Sequence, residues 1–455
     1  MIRLFKTLLQ KIGVDKSIAY SSGARVVQGI AGVLTVFFVS TFLTGVEQGF
    51  YFTFGSILAL QVFFELGLTG IMTQYVAHEV SHLQLNNRYR FEGEQRYVSR
   101  LASLVRFCFK WYSVLAAVVF SFLMIVGFVF FYRYGEGQTQ VDWQLPWILV
   151  CVGTALKLFQ SPFNSIFMGI GKVKEMSAIM FYQQIVIPLA TWIGLICGWK
   201  LYVLGIGYLL SVLVWLSYVH SHSLHRILVN LSKEQIFERV EYVKEIFPYQ
   251  WRIALSWVSG YFIFQLFNPV LFATEGAVVA GQMGMTIHAL TAIQAFSMSW
   301  LNTKIPFYSQ LIALKEFATL DVHFYRTLKQ MTSVCLALLI AFFLVIWVLN
   351  ITQLSFGGNV LADRFLSYGP MLLMMIPVYL QQYINAWATY LRCHKKEPFL
   401  VNSVCSGLTS LLCISTFGHM FGLYGVTVSY FAIAVVFFPW GYWIFRTKRK
   451  EWHHQ

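Results

Sequence analysis

Apolar runs of about 20 residues, each long enough to cross the hydrocarbon of a bilayer, recur along the whole chain with short polar intervals between them. They predict spans at 18–44, 49–77, 107–132, 145–168, 177–199, 202–220, 249–272, 279–303, 331–349, 367–391, 399–418 and 423–445. No polar interval is long enough to bury a core of its own, which excludes a soluble domain. The pattern therefore predicts an all-α polytopic membrane protein with 12 transmembrane helices.

The pattern also repeats. The first pair of runs, Ser21 to Ala77, is joined by the turn Thr44-Gly45-Val46-Glu47-Gln48-Gly49, and a similar pair runs from Pro248 to Lys304 through Ala273-Thr274-Glu275-Gly276. Arg25 and Arg252 are 227 positions apart and Glu47 and Glu275 are 228 apart, close to half of the 455 residues. A basic turn, Gly171-Lys172-Val173-Lys174-Glu175-Met176, lies 222 positions before Cys393-His394-Lys395-Lys396-Glu397-Pro398. Repeats of this kind predict two pseudo-symmetric six-helix bundles around a central cavity. The expected division is an interfacial helix at 1–17, an N-terminal lobe at 18–220, a cytoplasmic linker at 221–247, a C-terminal lobe at 248–446 and a basic cytoplasmic tail at 447–455.

Charge fixes the orientation of the spans. Only 11% of residues are charged and 58% are hydrophobic, so the net charge of +14 does not describe a nucleic-acid-binding domain. With the N-terminus inside, 28 of the 33 Lys and Arg fall in inner segments, three fall outside (Arg133, Lys200, Arg364), and Arg25 and Lys157 lie within spans. So one-sided a distribution predicts a multi-pass protein with both termini cytoplasmic. Arg3, Lys6, Lys11 and Lys16 opposite Ile2, Phe5, Leu8, Leu9 and Ile12 make the first residues an amphipathic helix on an anionic leaflet rather than a signal peptide. The basic inner connections 79–106 and 221–247 read as interfacial helices touching membrane lipids. Seven cysteines, mostly inside apolar runs and without a CxxC pair, read as packing residues.

Three features carry a family resemblance: the Gly45-Val46-Glu47-Gln48-Gly49-Phe50-Tyr51 turn, Phe64-Glu65-Leu66-Gly67-Leu68-Thr69 in the second span, and the Gly171-Lys172-Val173-Lys174 turn before the fifth. With twelve spans in two halves, the chain resembles the polysaccharide-transporter, or O-antigen flippase, branch of the multidrug/oligosaccharidyl-lipid/polysaccharide (MOP) exporter superfamily. Members more often carry Asp where this chain has Glu65. The resemblance implies a cationic central cavity and movement of polyprenyl-diphosphate-linked oligosaccharide, as in O-antigen, capsule or lipopolysaccharide assembly. It implies no bound cofactor, a coupling ion (H+ or Na+), and glycan polymerase and glycosyltransferases as partners.

An ionisable group at mid-span costs roughly 2.5–3.5 kcal/mol on insertion scales, so each one asks for a reason. Lys157, deep in the fourth span, reads as a cavity cation for a diphosphate or as the ion-pair partner of Glu65. Arg25 and Arg252, at matched places in the two halves, suit a phosphate because the guanidinium fork grips two oxygens, or else they reach the inner headgroups. Lys304 is a further substrate cation or an inner-end anchor. Glu65 reads as a coupling or charge partner, and His288 as a packed polar side chain or a second coupling partner. His78-Glu79-Val80-Ser81-His82 is a literal H-E-x-x-H, the pattern of zinc proteases, but no third ligand accompanies it and the second half has no counterpart. The expectation is a secondary transporter and not an enzyme. The rivals are a multidrug cation antiporter of the same fold, an intramembrane zinc protease, a glycan polymerase, and an inactive scaffold.

Overall fold

The computed structural model describes residues 27–453, apart from 29–30, 33, 136–140, 357–358 and 395. The expected amphipathic helix at 1–17 and Arg25 thus lie outside the described residues. The helices are α1 (34–42), α2 (Gly45–Leu58), α3 (Val62–Glu65), α4 (Leu68–Val80), α5 (Gln95–Gly135), α6 (Gln144–Gly169), α7 (Val173–Ile196) and α8 (Tyr202–Ser221). They continue with α9 (Leu224–Lys233), α10 (Phe247–Phe264), α11 (Phe267–Thr274), α12 (Ala277–Asn302), α13 (Ile305–Ala313), α14 (Phe317–Thr352), α15 (Tyr368–Arg392) and α16 (Leu400–His453). Every expected span from the second onward is helical. Seven of the described helices are long and apolar enough to cross a membrane, eight if the pair Gly45–Glu65 and Leu68–Val80 counts as one broken span.

Local chemistry explains the helix ends. Thr44 Oγ1 accepts from the Glu47 amide at 3.2 Å, and Glu47 Oε2 accepts from the Thr44 amide at 2.9 Å. This capping box starts α2. The 54 residues of α16 are two spans, because Gly422 departs from helical geometry with φ 56°. A Cβ there would meet Glu275 Oε1 at 1.6 Å, and that oxygen accepts from the Leu423 amide at 3.3 Å. The two glutamates matched between the halves thus serve backbone amides at turns.

Two other spans break. The second stops at Leu66 (φ 52°) and Gly67 (φ 68°), both left-handed, inside the Glu65-Leu66-Gly67-Leu68-Thr69 motif. The seventh breaks at Gln265–Leu266, between α10 and α11. One break is in the second helix of its hairpin and the other in the first, so the two hairpins differ in detail.

The chain forms two compact units. The first contains Leu60–Val129 and Asp142–Ala254, and the second contains Gly29–Ala59, Phe130–Val141 and Leu255–Gln455. This grouping differs from a division at the 221–247 linker because α2 packs on α12 through small residues. A Cβ on Gly49 would stand 2.0 Å from the Ala277 carbonyl oxygen, and one on Gly281 would stand 2.9 Å from the Gly49 amide nitrogen. Backbones approach this closely only where side chains are absent, as small-xxx-small stripes allow in membranes. Gln48 Nε2 spans the same contact, donating to the Gly281 carbonyl at 2.8 Å and the Arg364 carbonyl at 3.0 Å. Arg364, read only as an outer charge, is buried and donates from Nη2 to the Leu43 carbonyl at 2.7 Å.

The two connections read from sequence as inner interfacial helices differ partly from expectation. The 79–106 interval holds an antiparallel hairpin, Leu83–Leu85 with Phe91–Gly93, and then the first turns of α5. Asn86 closes that hairpin by accepting from the Arg88 and Arg90 amides, both at 2.9 Å. The 221–247 interval does hold an amphipathic helix, α9, with Leu224, Ile227 and Leu231 buried on one face. The basic tail is helical to His453 and packed: Trp452 joins the aromatic core of Tyr390, Phe324 and Phe445, and the His453 ring stacks on Phe317 at 4.4 Å. Cys108, Cys151 and Cys335 are buried free thiols, as their apolar surroundings predict, whereas Cys197 is exposed.

Candidate functional site

Within the second unit, the break between α10 and α11 opens a cavity of about 520 Å³ against α2, α12, α15 and the second half of α16. Unwound backbone inside a membrane is tolerated where it lines a cavity, and Gln265 sits at this break. The polar lining is neutral: the amides of Gln265, Asn268, Gln294 and Asn385, the hydroxyls of Ser56 and Thr291, and the His288 imidazole. Phe52, Phe267 and Tyr430 supply ring faces and edges, and no Asp, Glu, Lys or Arg lines the space among the described residues.

Two atoms of this lining are left without partners. Asn268, 7% exposed, donates from Nδ2 to Ser56 Oγ at 3.2 Å, while its Oδ1 has no hydrogen-bond partner among the described residues. His288 Nε2 is likewise unpartnered and buried, with its ring 5.9 Å from that of Phe52. A buried polar atom left unsatisfied costs about 1–3 kcal/mol, so the pair calls for a hydrogen-bonding occupant, whether water or a ligand hydroxyl.

The predicted site residues distribute as follows. His288 lines the cavity; Lys157 and Lys304, the predicted cations with described side chains, do not. Lys157, in the first unit, holds its ammonium 4.4 Å from the Tyr208 ring centroid, a cation–π seat between α6 and α8. Glu65 accepts from Thr69 Oγ1 at 2.7 Å across the Leu66–Gly67 break, so the two mid-span charges do not pair with each other. Lys304 is exposed at the junction of α12 and α13. Arg252 lies in α10, and its side chain is outside the described set.

The H-E-x-x-H motif is arranged otherwise than a zinc site requires. Helix α4 ends at Val80, His78 is exposed, and His82 stacks on Tyr97 at 4.1 Å. Glu79, 2% exposed, accepts from Arg100 Nε at 3.0 Å. No group of three potential metal ligands occurs among the described residues. Arg100 also reaches Glu245 Oε2 at 2.7 Å and Glu238 Oε1 at 3.3 Å, fastening α5 to the 221–247 connection. Sequence reasoning counted Arg100 only as an inner charge, and it passed over the cavity amides by looking for charges alone. Asn268, Gln294 and Asn385 each interrupt an apolar run, and that was the available signal.

No family model matches the chain, and no curated protein matches it in sequence. Solved structures do match in three dimensions. An inward-facing multidrug-resistance MATE-family transporter of the MOP superfamily superposes with a TM-score of 0.65 at 14% identity, over 96% of this chain and 99% of that one. The MATE multidrug transporter DinF-BH, in a ligand complex, gives 0.56 at 12% identity over 95% of each chain. The lipid II flippase MurJ, inward closed, gives 0.55 at 11% identity over 92% of this chain and 86% of that one. The fold is that of the MOP transporters. All three MOP neighbours are transporters or flippases, and the likeness covers nearly the full length of this chain.

Proposed function

We propose that this chain is a flippase for polyprenyl-diphosphate-linked oligosaccharides of the O-antigen or capsule type. It would work by alternating access across the bacterial inner membrane, with both termini cytoplasmic. The observation that carries this reading is the neutral lining of the cavity in the second unit. Amide and hydroxyl groups beside aromatic faces are the chemistry that receives sugar hydroxyls and the apolar faces of pyranose rings. The unpartnered Asn268 Oδ1 accepts a hydroxyl proton, and His288 Nε2 accepts or donates according to its tautomer. MurJ moves a lipid-linked substrate on the same fold. The diphosphate is assigned to the cations predicted from sequence, with Glu65 and His288 as charge or coupling partners to H+ or Na+. Glycosyltransferases supply the substrate, and a glycan polymerase consumes it.

The second reading is export of organic cations, favoured by the higher TM-score of the MATE-family neighbour. It requires a carboxylate to face the cation, and among the described residues the cavity lining has none. Reconstitution into liposomes separates the two. A fluorescent polyprenyl-diphosphate oligosaccharide should become accessible on the opposite leaflet only with protein, and N268A with H288A should slow it tenfold or more at normal protein level. Energised uptake of a lipophilic cation such as ethidium, with no movement of the glycolipid, would replace the flippase reading by the antiporter.

A further inference from the structure

A second cavity, of about 740 Å³, lies within the first unit, between α5, α6, α8 and the amphipathic α9. Its walls are apolar, with Phe159, Phe163, Leu216 and Val229 among them, and Phe109, Leu216 and Val229 remain exposed. An apolar groove of this size on the side of a helical membrane protein faces acyl chains. Its polar groups are basic or neutral: Arg106, Lys110, His220, His225 and Ser232, with no carboxylate among the described residues. They come from the inner ends of α5 and α8 and from α9.

This end is also built rather than loose. Arg106 donates from Nε to the Ser232 carbonyl at 3.0 Å and from Nη2 to the Glu234 carbonyl, fixing the C-terminal end of α9 against α5. The His220 and His225 rings stack at 4.8 Å, while His225 Nδ1 is buried without a partner among the described residues. Lys110 is exposed and has no ion-pair partner among the described residues. A basic mouth over an apolar trough, with no acid to compete, complements one molecule well: a lipid with an anionic phosphate head.

We infer that this groove binds one anionic glycerophospholipid of the inner leaflet, with its phosphate at Lys110, His220 and His225 and an acyl chain along Phe159, Phe163 and Leu216. The site is separate from the amide-lined cavity and independent of the flippase reading. The bound lipid braces α9, and through Arg106 the start of α5, against the membrane surface.

The test is native mass spectrometry of the full chain in detergent with phosphatidylglycerol, phosphatidylcholine or glycerol 3-phosphate at equal concentration. Phosphatidylglycerol should be retained in a saturable 1:1 adduct that the other two do not form. One basic group near a membrane surface is worth about a fivefold change in binding, so K110Q should weaken the adduct about fivefold and K110Q/H220Q/H225Q by more than tenfold. K110E, a reversal at an exposed position that leaves the packing intact, should abolish it. V229W should fill the trough and abolish it while the charges remain. Equal retention of phosphatidylcholine, equal binding of glycerol 3-phosphate, or an adduct unchanged in K110E would overturn the assignment.

Discussion

Arg100 offers the sharpest test of how the 221–247 connection is held in the first unit. Its side chain is 15% exposed and Glu79's is 3%, so their contact at 3.0 Å is a buried pair and not a surface one. Exposed pairs contribute about 0–1 kcal/mol, but deleting one partner of a buried pair leaves a stranded charge and costs about 3–5 kcal/mol. R100A should therefore destabilise the protein by several kcal/mol, read as a fall in melting temperature in detergent. R392A, which breaks an Arg392–Glu397 pair whose side chains are 52% and 42% exposed, should have almost no effect. R100M/E79M should recover most of the loss, because both charges go together. Equal effects of R100A and R392A, or a double variant no better than R100A, would refute the argument that Glu79 is held by charge.

Other consequences follow from the same geometry. Burial pushes the Glu245 carboxyl up, but hydrogen bonds from Arg100 and the Glu241 amide, with the charge of Arg100, outweigh it and hold it below its ordinary 4.5. A depressed carboxylate contributes stability above its unfolded pKa and loses it as pH falls through the folded one. Protection of the 221–247 segment from proteolysis should therefore be flat above pH 4.5 and decline below it in the wild type, with that decline absent in E245Q. G49A should cost roughly 1–3 kcal/mol by overpacking against Ala277, whereas G55A, with nothing within 4 Å of its Cβ, should gain roughly 0.5–1 kcal/mol; melting temperatures decide both. L66G should stabilise by about 1–2 kcal/mol by removing a left-handed leucine, again read as melting temperature.

Apolar run length foretold a mostly helical membrane chain and, from the second span onward, where along the sequence the helices fall. A lipid solvent leaves backbone groups no other way to be satisfied. Glycine spacing also carried more than it was asked: Gly45-x-x-x-Gly49 opposite Ala277-x-x-x-Gly281 is a packing seam visible in one dimension. The helix breaks were half visible, since Gly67 and Gly422 permit a left-handed turn but do not compel one. Partnership was not legible. Lys157 and Glu65 have the right depth to pair, yet one lies over Tyr208 and the other bonds Thr69. His78, Glu79 and His82 have zinc spacing, yet Glu79 belongs to Arg100, twenty-one positions away. Periodicity fixes which residues a helix carries and roughly how deep they lie. Which of them meet depends on the rotation and crossing of helices packed by short-range contacts, and only the tertiary structure decides that.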